Sequence, residues 1–460
     1  MTNRGGNEQR SDRGWRQARL IPVSGIKGQA DQEMRATSAL LAVIKAVPQF
    51  GRALLKNADA PAGEVSTYIE VPLKLGRDQE FRPDGAITVT RGKTSWTALV
   101  EVKTGAVGLR VDQVESYLDA AREHGLQAVI TISSEMTTAF ENHPLMVDRR
   151  KTRTVQLYHW SWVSVLSEAI MQRTHKGIED KDQGWILGEL ISYLEHDNSG
   201  ALQFHDMGPH WVAIRDSAHS GTLRAADAGV AEVVSRWDQF MQYLCLFLGR
   251  DLGVKITQLL SRQEQSNPRA RKDYLTKRLV DLGALDGTLK VPRAVGDITL
   301  SASLRGRTIR ASVEVSAPDE GRSSTRVKWL VRQLDEAPPQ TLVESYFGGT
   351  RSTKTARLDE LRQDPELILL DDRTKAVKAF TVSLSEEIGT RRTGTEGFIG
   401  GAGELLLRFY REVVEKITPW AAAPPKLPTR RDAEDIGTQP DALVETVARE
   451  LASEEAQPSS

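Results

Sequence analysis

Residues 82–103 decide the fold: Arg82-Pro83-Asp84-Gly85, the run Ala86-Ile87-Thr88-Val89-Thr90, the triplet Arg91-Gly92-Lys93, and then, after Thr94-Ser95-Trp96, Thr97-Ala98-Leu99-Val100-Glu101-Val102-Lys103. Alternation and β-branched content predict strands over residues 84–90 and 95–103, with the Arg-Gly-Lys triplet as a hairpin turn. Side chains two apart on a strand share a face, so Glu101 and Lys103 point the same way, and the hairpin brings Asp84 to the same end. An acid and a lysine inside an otherwise apolar strand cost several kcal/mol unless they are paired or hold a metal. The plainer reading is a salt bridge on an edge strand facing solvent.

Working outward, residues 31–55 carry apolar side chains at helical spacing (Met34, Leu40, Leu41, Ile44, Val47), interrupted near Pro48. Residues 67–74 alternate as a strand, 111–124 read as a helix, and 128–132 form a continuous apolar and β-branched run suited to a buried strand. A strand at 155–159 feeds a helix at 162–171, and the charged stretch 175–183 reads as a linker. The order helix, three strands, helix, strand predicts an α/β domain over residues 30–175.

In-line cleavage of a phosphodiester needs carboxylates to hold a divalent cation and a nearby positive group to offset the charge that builds on phosphate oxygens. Asp84, Glu101 and Lys103 supply those types. They resemble the motif of the PD-(D/E)XK nuclease superfamily, which stands here as Pro83-Asp84 followed by Glu101-Val102-Lys103. Gln113 and Tyr117, at i and i+4 on the next predicted helix, also look like the Q-x-x-x-Y of the RecB-like subgroup. The resemblance covers residues 30–170 and implies a restriction-endonuclease-like core, a mixed central sheet flanked by helices. It further implies that Asp84 and Glu101 bind Mg²⁺ (or Mn²⁺), that Lys103 positions water or offsets charge, and that Gln113 and Tyr117 orient the site. Many members add a glutamate from the first helix; Glu33 matches best, with Glu70 on the first strand as the second choice. The implied activity is metal-dependent hydrolysis of DNA, in a setting such as bacterial defence or DNA repair. Members of the superfamily also keep the fold without catalysis, so a silent nucleic-acid-binding or assembly module is the alternative.

Candidate phosphate contacts near this motif are Arg82 and Arg110, with Lys74, Arg77, Arg91 and Lys93, and the cluster Arg149, Arg150, Lys151 and Arg153; each reads equally well as a solvated face. A second basic stretch, Arg269, Arg271, Lys272, Lys277 and Arg278 around Tyr274, has the composition to track a nucleic-acid backbone.

Residues 183–420 are predicted as a mixed α+β domain for substrate or partner selection. It has helices at 185–194 and 226–260, strands at 297–304 and 308–316, a helix at 326–335 and a strand at 341–347. Asp297 and Glu314 repeat the 17-residue spacing of Asp84 and Glu101, with Val-Glu-Val at both sites, so a degenerate copy of the first hairpin and a coincidence of common hairpin lengths are both open. Trp329, Leu330 and Leu334 form a helical stripe that reads as core before docking face. His205 and His210 lack the partners of a zinc site. Glycines 394–403 lack the Gly-Lys-Ser/Thr ending of a nucleotide loop and read as a flexible loop before a helix at 404–417.

Residues 1–20 form a basic arm without periodicity, and 421–460 an Ala-, Pro- and Glu-rich tail, both expected to be disordered. With 61 Lys plus Arg against 62 Asp plus Glu, no global positive field draws the chain to polyanions, so nucleic-acid contact must come from local patches. Cys245, the one cysteine, sits in an apolar run, which excludes a disulfide scaffold. No signal-like or membrane-length apolar segment is present, and a cytoplasmic enzyme with no membrane partner is expected. A homodimer, or a partner protein held by the second domain, fits the arrangement without being encoded in any motif.

Overall fold

The computed structural model describes residues 19–75, 79–105, 108–137, 143–201, 207–388 and 397–421. Most of the basic arm, the tail from residue 422, Arg77, His205 and Gly394 lie outside these residues. The described residues through Pro419 belong to one compact unit, the first of two along the chain. The first unit is mixed α/β, with a five-stranded and a seven-stranded sheet.

The chain opens with α1 (Gln29–Ala46) and α2 (Pro48–Lys56). Asp31 in the first turn and Lys45 in the last match the α1 dipole, and Ala36, Leu40, Leu41, Val43 and Ile44 form its buried stripe. Pro48 breaks the hydrogen-bond ladder yet suits the first turn of a new helix, so the pair bends by 108°. Among the described residues no single helix is long and apolar enough to cross a membrane; the α1–α2 pair passes that test only jointly.

There follow β1 (Glu64–Ile69), a ribbon of β2 (Leu73–Leu75) and β3 (Gln79–Phe81), β4 (Gly85–Arg91), β5 (Thr94–Val102), α3 (Val111–Glu123), β6 (Ala128–Ser133), β7 (Gln156–Ser161), α4 (Trp162–Ile170) and α5 (Lys181–Leu194). The first sheet runs β1-β4-β5-β6-β7; β1, β4 and β5 pair antiparallel and β5, β6 and β7 parallel, with α3 as the crossover. One face, with Ile87, Val100, Val102, Ile130 and Ile132, packs on α1, α2, α4 and α5. The other, with Ala86, Leu99 and Val129, lies under Val114, Tyr117, Leu118 and Ala121 of α3.

Two expectations change here. The strand predicted over 67–74 breaks after Ile69, because Glu70 takes a left-handed φ of 50° and Pro72 has no N–H to donate; β2 then pairs away from the main sheet. The predicted boundary at 175–183 also moves. Asp180 caps α5, whose Leu187, Leu190, Ile191, Tyr193 and Leu194 are buried in the first core, which extends to Ala201.

The remainder comprises α6 (Trp211–Ser220), α7 (Val230–Leu252), β8 (Thr257–Leu259), α8 (Arg262–Ser266), α9 (Pro268–Leu282), β9 (Ala284–Lys290), β10 (Ile298–Ser303), β11 (Thr308–Ser316), α10 (Ser323–Gln333), β12 (Leu342–Phe347), β13 (Thr353–Arg357), α11 (Leu358–Gln363), β14 (Val377–Glu387) and α12 (Phe398–Glu412). Its sheet has the order β13-β12-β14-β11-β10-β9-β8 with antiparallel pairings throughout. Gly253 ends α7 earlier than the periodicity predicts. Gly400, Gly401 and Gly403 lie inside α12 rather than in a loop, where Gly403 packs beside Phe247. Leu330 and Leu334 are buried and Trp329 packs against the same core, so that stripe is interior.

The β10–β11 hairpin has the register of β4–β5: Ile298 faces Val313 as Gly85 faces Val100, which sets Asp297 opposite Glu314 as Asp84 is opposite Glu101. The likeness stops at the chemistry. Glu314 and Ser316 are exposed, and β14 separates β11 from β12, whereas β5 pairs directly with β6.

Candidate active site

Asp84 immediately precedes β4, and its Oδ2 accepts the Val102 N–H at 2.7 Å. Gly85 beside it is needed for close approach: a Cβ there would stand 2.7 Å from the Tyr68 carbonyl oxygen and against Leu41 of α1. Glu70 holds this strand end through its backbone, its N–H donating to the Asp84 carbonyl at 2.9 Å, while its side chain is exposed. Of the two glutamates weighed as a third carboxylate, Glu33 is the one beside Lys103.

Glu101 is only 2% exposed, although it is an acid near the end of its strand. Lys103 Nζ lies 2.6 Å from Glu101 Oε1, 3.5 Å from Glu33 Oε2 and 3.2 Å from the Val102 carbonyl oxygen. Gln113 Nε2 donates to the same Glu101 Oε1 at 2.6 Å and to Tyr117 Oη at 3.1 Å, so the i, i+4 pair of α3 reaches the carboxylate from above the sheet. Asp84, Glu101, Lys103, Glu33, Gln113 and Tyr117 therefore come together. Two supports escaped the sequence reading. Gln29 donates to Glu33 Oε1 at 2.9 Å and to the Thr104 carbonyl at 3.1 Å, and Trp162 Nε1 donates to the Lys103 carbonyl at 2.9 Å. The i, i+4 spacing of Gln29 and Glu33 was the available signal for the first; the second joins residues distant in sequence.

Burial, and then the charge of Asp84, push the Glu101 carboxyl up to about 7 against the pull of Lys103. Burial also raises Asp84, with the Val102 N–H and Lys103 opposing it and Glu33 adding to it. For Lys103, burial would depress the ammonium, but Glu101, Asp84 and Glu33 outweigh it and hold its pKa above the ordinary lysine value. Burial, followed by Glu101, raises Tyr117. One ammonium thus faces three carboxylates, two of which resist ionisation, leaving the cluster short of positive charge. Its carboxylate and carbonyl oxygens are hard donors of the kind Mg²⁺ and Mn²⁺ take, and a dication there would favour both ionised acids. Among the described residues no three His, Cys, Asp or Glu side chains gather closely enough to form a preset metal cluster.

The row extends across the sheet, because Glu101 pairs with Thr131 and Thr131 with His159. Thr131 Oγ1 lies 2.8 Å from His143 Nε2 and 2.9 Å from His159 Nδ1. Leu145 N–H donates to His143 Nδ1, and His159 Nε2 meets the Glu135 carbonyl at 2.9 Å, which can only accept. In the neutral tautomers this fixes one direction, His143 N–H to Thr131 O–H to His159 Nδ1. Burial lowers both histidines to about 4, which keeps them neutral near pH 7.

Several cations weighed as phosphate contacts have acidic partners. Arg110 pairs with Asp112, Arg150 with Asp148, and Lys151 with Asp119 and Glu115 of α3, while Arg82, Arg149 and Arg153 are exposed. The stretch 269–278 does not present one basic face: Arg271 is buried against Asp238 and Glu264, and Arg278 and Tyr274 turn to Asp286. His210 is paired with Glu232. No protein-family model matches the chain, and no curated protein matches it.

Proposed function

We propose that this protein is a metal-dependent nuclease of the PD-(D/E)XK type, hydrolysing DNA. The observation that carries the reading is the convergence of Asp84, Glu101 and Lys103 at the buried end of β5, with Lys103 and Gln113 both within hydrogen-bond reach of one oxygen of Glu101. Asp84 and Glu101 would hold Mg²⁺ or Mn²⁺, with Glu33 as the third carboxylate; the bound ion would supply Lewis-acid polarisation of the scissile phosphate. Gln113 fixes the Glu101 carboxylate, and Gln29 fixes Glu33. Lys103, protonated through the neutral range, offers N–H donors to water or to the phosphate oxygens as their charge builds. Water oxygen bonds to phosphorus, a P–O ester bond breaks, and the leaving oxygen takes up a proton.

A second reading has one observation in its favour: Lys103 Nζ itself lies among oxygens of Glu101, Glu33 and Val102, so the lysine can neutralise the site as a resting ion pair in a silent nucleic-acid-binding or assembly module. Cleavage of linear duplex, single-stranded and supercoiled DNA and of RNA, by wild type and Lys103→Met with Mg²⁺, Mn²⁺ or chelator, separates the two. Metal-dependent cutting lost in Lys103→Met supports the enzyme; a folded wild type that cuts none of them supports the module.

A further inference from the structure

Beside the carboxylate cluster lies a cleft of about 400 Å³, walled by the segment 23–28, the first turn of α1, Gly105 after β5 and Asn198 after α5. Val23 and Ile26 give it apolar surface; Gln29, Gln32 and Asn198 give it amides; among the described residues no charged side chain lines it. The walls are tied together. Thr104 Oγ1 donates to Gln32 Oε1 at 3.1 Å, Gln32 Nε2 to the Asn198 carbonyl at 2.7 Å, and Gly105 N–H to the Gly200 carbonyl at 2.9 Å. Gln29 belongs both to this wall and to the site, since its amide bonds Glu33.

We propose that the cleft receives the base and sugar of an unpaired nucleotide next to the phosphate held at Lys103, so that single strands or unpaired ends, not intact duplex, are the substrate. The identity of the ligand rests on the nuclease reading. An uncharged wall does not hold a phosphate, whereas the amide groups left over by the wall's own hydrogen bonds, chiefly the side-chain oxygens of Gln29 and Asn198, can accept from a base edge, and the aliphatic residues offer contact to its flat faces. The volume falls within the range of small-ligand sites. A base inside a duplex has its pairing edge occupied and is stacked, and extruding it costs a few kcal/mol.

Fluorescence anisotropy of the full-length protein in chelator tests this without needing metal or cutting. The probes are a short labelled single strand, its blunt duplex, and the same strand carrying abasic positions. The intact single strand should bind about tenfold or more tighter than the other two, a difference of the size that contacts to unpaired bases provide. Ser24→Trp, at an exposed position lining the cleft, should remove that preference without moving the melting temperature, and Asn198→Ala should reduce it severalfold. Equal or tighter duplex binding, or a folded Ser24→Trp that keeps the preference, overturns the proposal; if Ser24→Trp fails to fold, Asn198→Ala decides in the same way. Mg²⁺-dependent cleavage of duplex unaffected by either variant would leave the nuclease reading standing and remove this one. A Ser24-sensitive preference for single strands without any cleavage would do the reverse.

Discussion

Glu101→Gln gives the sharpest test of the site's electrostatics. In the folded protein the Glu101 carboxyl sits at about 7, against an ordinary 4.5, because it is buried and faces Asp84. At about 1.4 kcal/mol per pH unit, the gap corresponds to about 3 kcal/mol. The sign follows from proton binding: between pH 4.5 and 7 the folded state holds the proton more tightly than the unfolded chain. The stabilising share is complete below the unfolded value and is lost as pH rises through 7. Above that, a buried carboxylate is held ionised at a cost that glutamine does not incur. Denaturant midpoints of wild type and Glu101→Gln, measured from pH 5 to about 8.5, should therefore separate progressively in favour of the variant as pH rises. Ca²⁺, as a non-hydrolytic stand-in for the metal, should flatten the wild-type profile and leave the variant's largely unchanged. A difference independent of pH, or one that grows in favour of wild type at alkaline pH, would refute the reasoning by showing that Lys103 outweighs burial and Asp84.

Lys103→Met should lower metal-dependent cleavage by about 100-fold or more at saturating Mg²⁺, read as single-turnover rate, with the fold intact by circular dichroism. Thr131→Val removes the centre of the histidine row and should cost about 1–3 kcal/mol for each imidazole nitrogen left without a partner, whereas Thr131→Ser restores most of it; thermal melting and histidine NMR shifts check both. Glu70→Gly relieves a left-handed residue beside Asp84 and should raise stability by up to about 1 kcal/mol with cleavage retained, which would also show that the Glu70 carboxylate is dispensable.

The hairpin of β4 and β5, the helix carrying Gln113 and Tyr117, and the buried strand β6 were legible because each rests on a local period, and Glu101 and Lys103 stood out as charges in an apolar run. Glu33 was legible by position on the first helix, yet only the folded chain shows it beside Lys103. What was illegible depends on contacts distant in sequence. Nothing local assigns α5 to the first core, since its apolar stripe suits any partner. The row Thr131, His143 and His159 is spread over three separate segments, two of them strands pairing in parallel. The cations of 149–153 and 269–278 look alike in sequence, and only tertiary placement shows that Lys151, Arg271 and Arg278 are engaged by acids of other segments. The break at Glu70 was partly readable from Pro72, whose missing N–H argues against a continuous strand.

The position of β14 bears on how the chain assembles. It lies between β11 and β12, with both of which it pairs, although it follows β12 and β13 in the chain. During synthesis, residues through Ala201 can build the first core from contacts already emerged, while the larger sheet stays split at its middle until residue 387 has left the ribosome. Two half-sheets with facing open edges must wait for that strand, an interval in which their unpaired edges are available to other chains. Truncation before β14 would therefore divide the sheet at its centre, whereas trimming an outer strand would only narrow it.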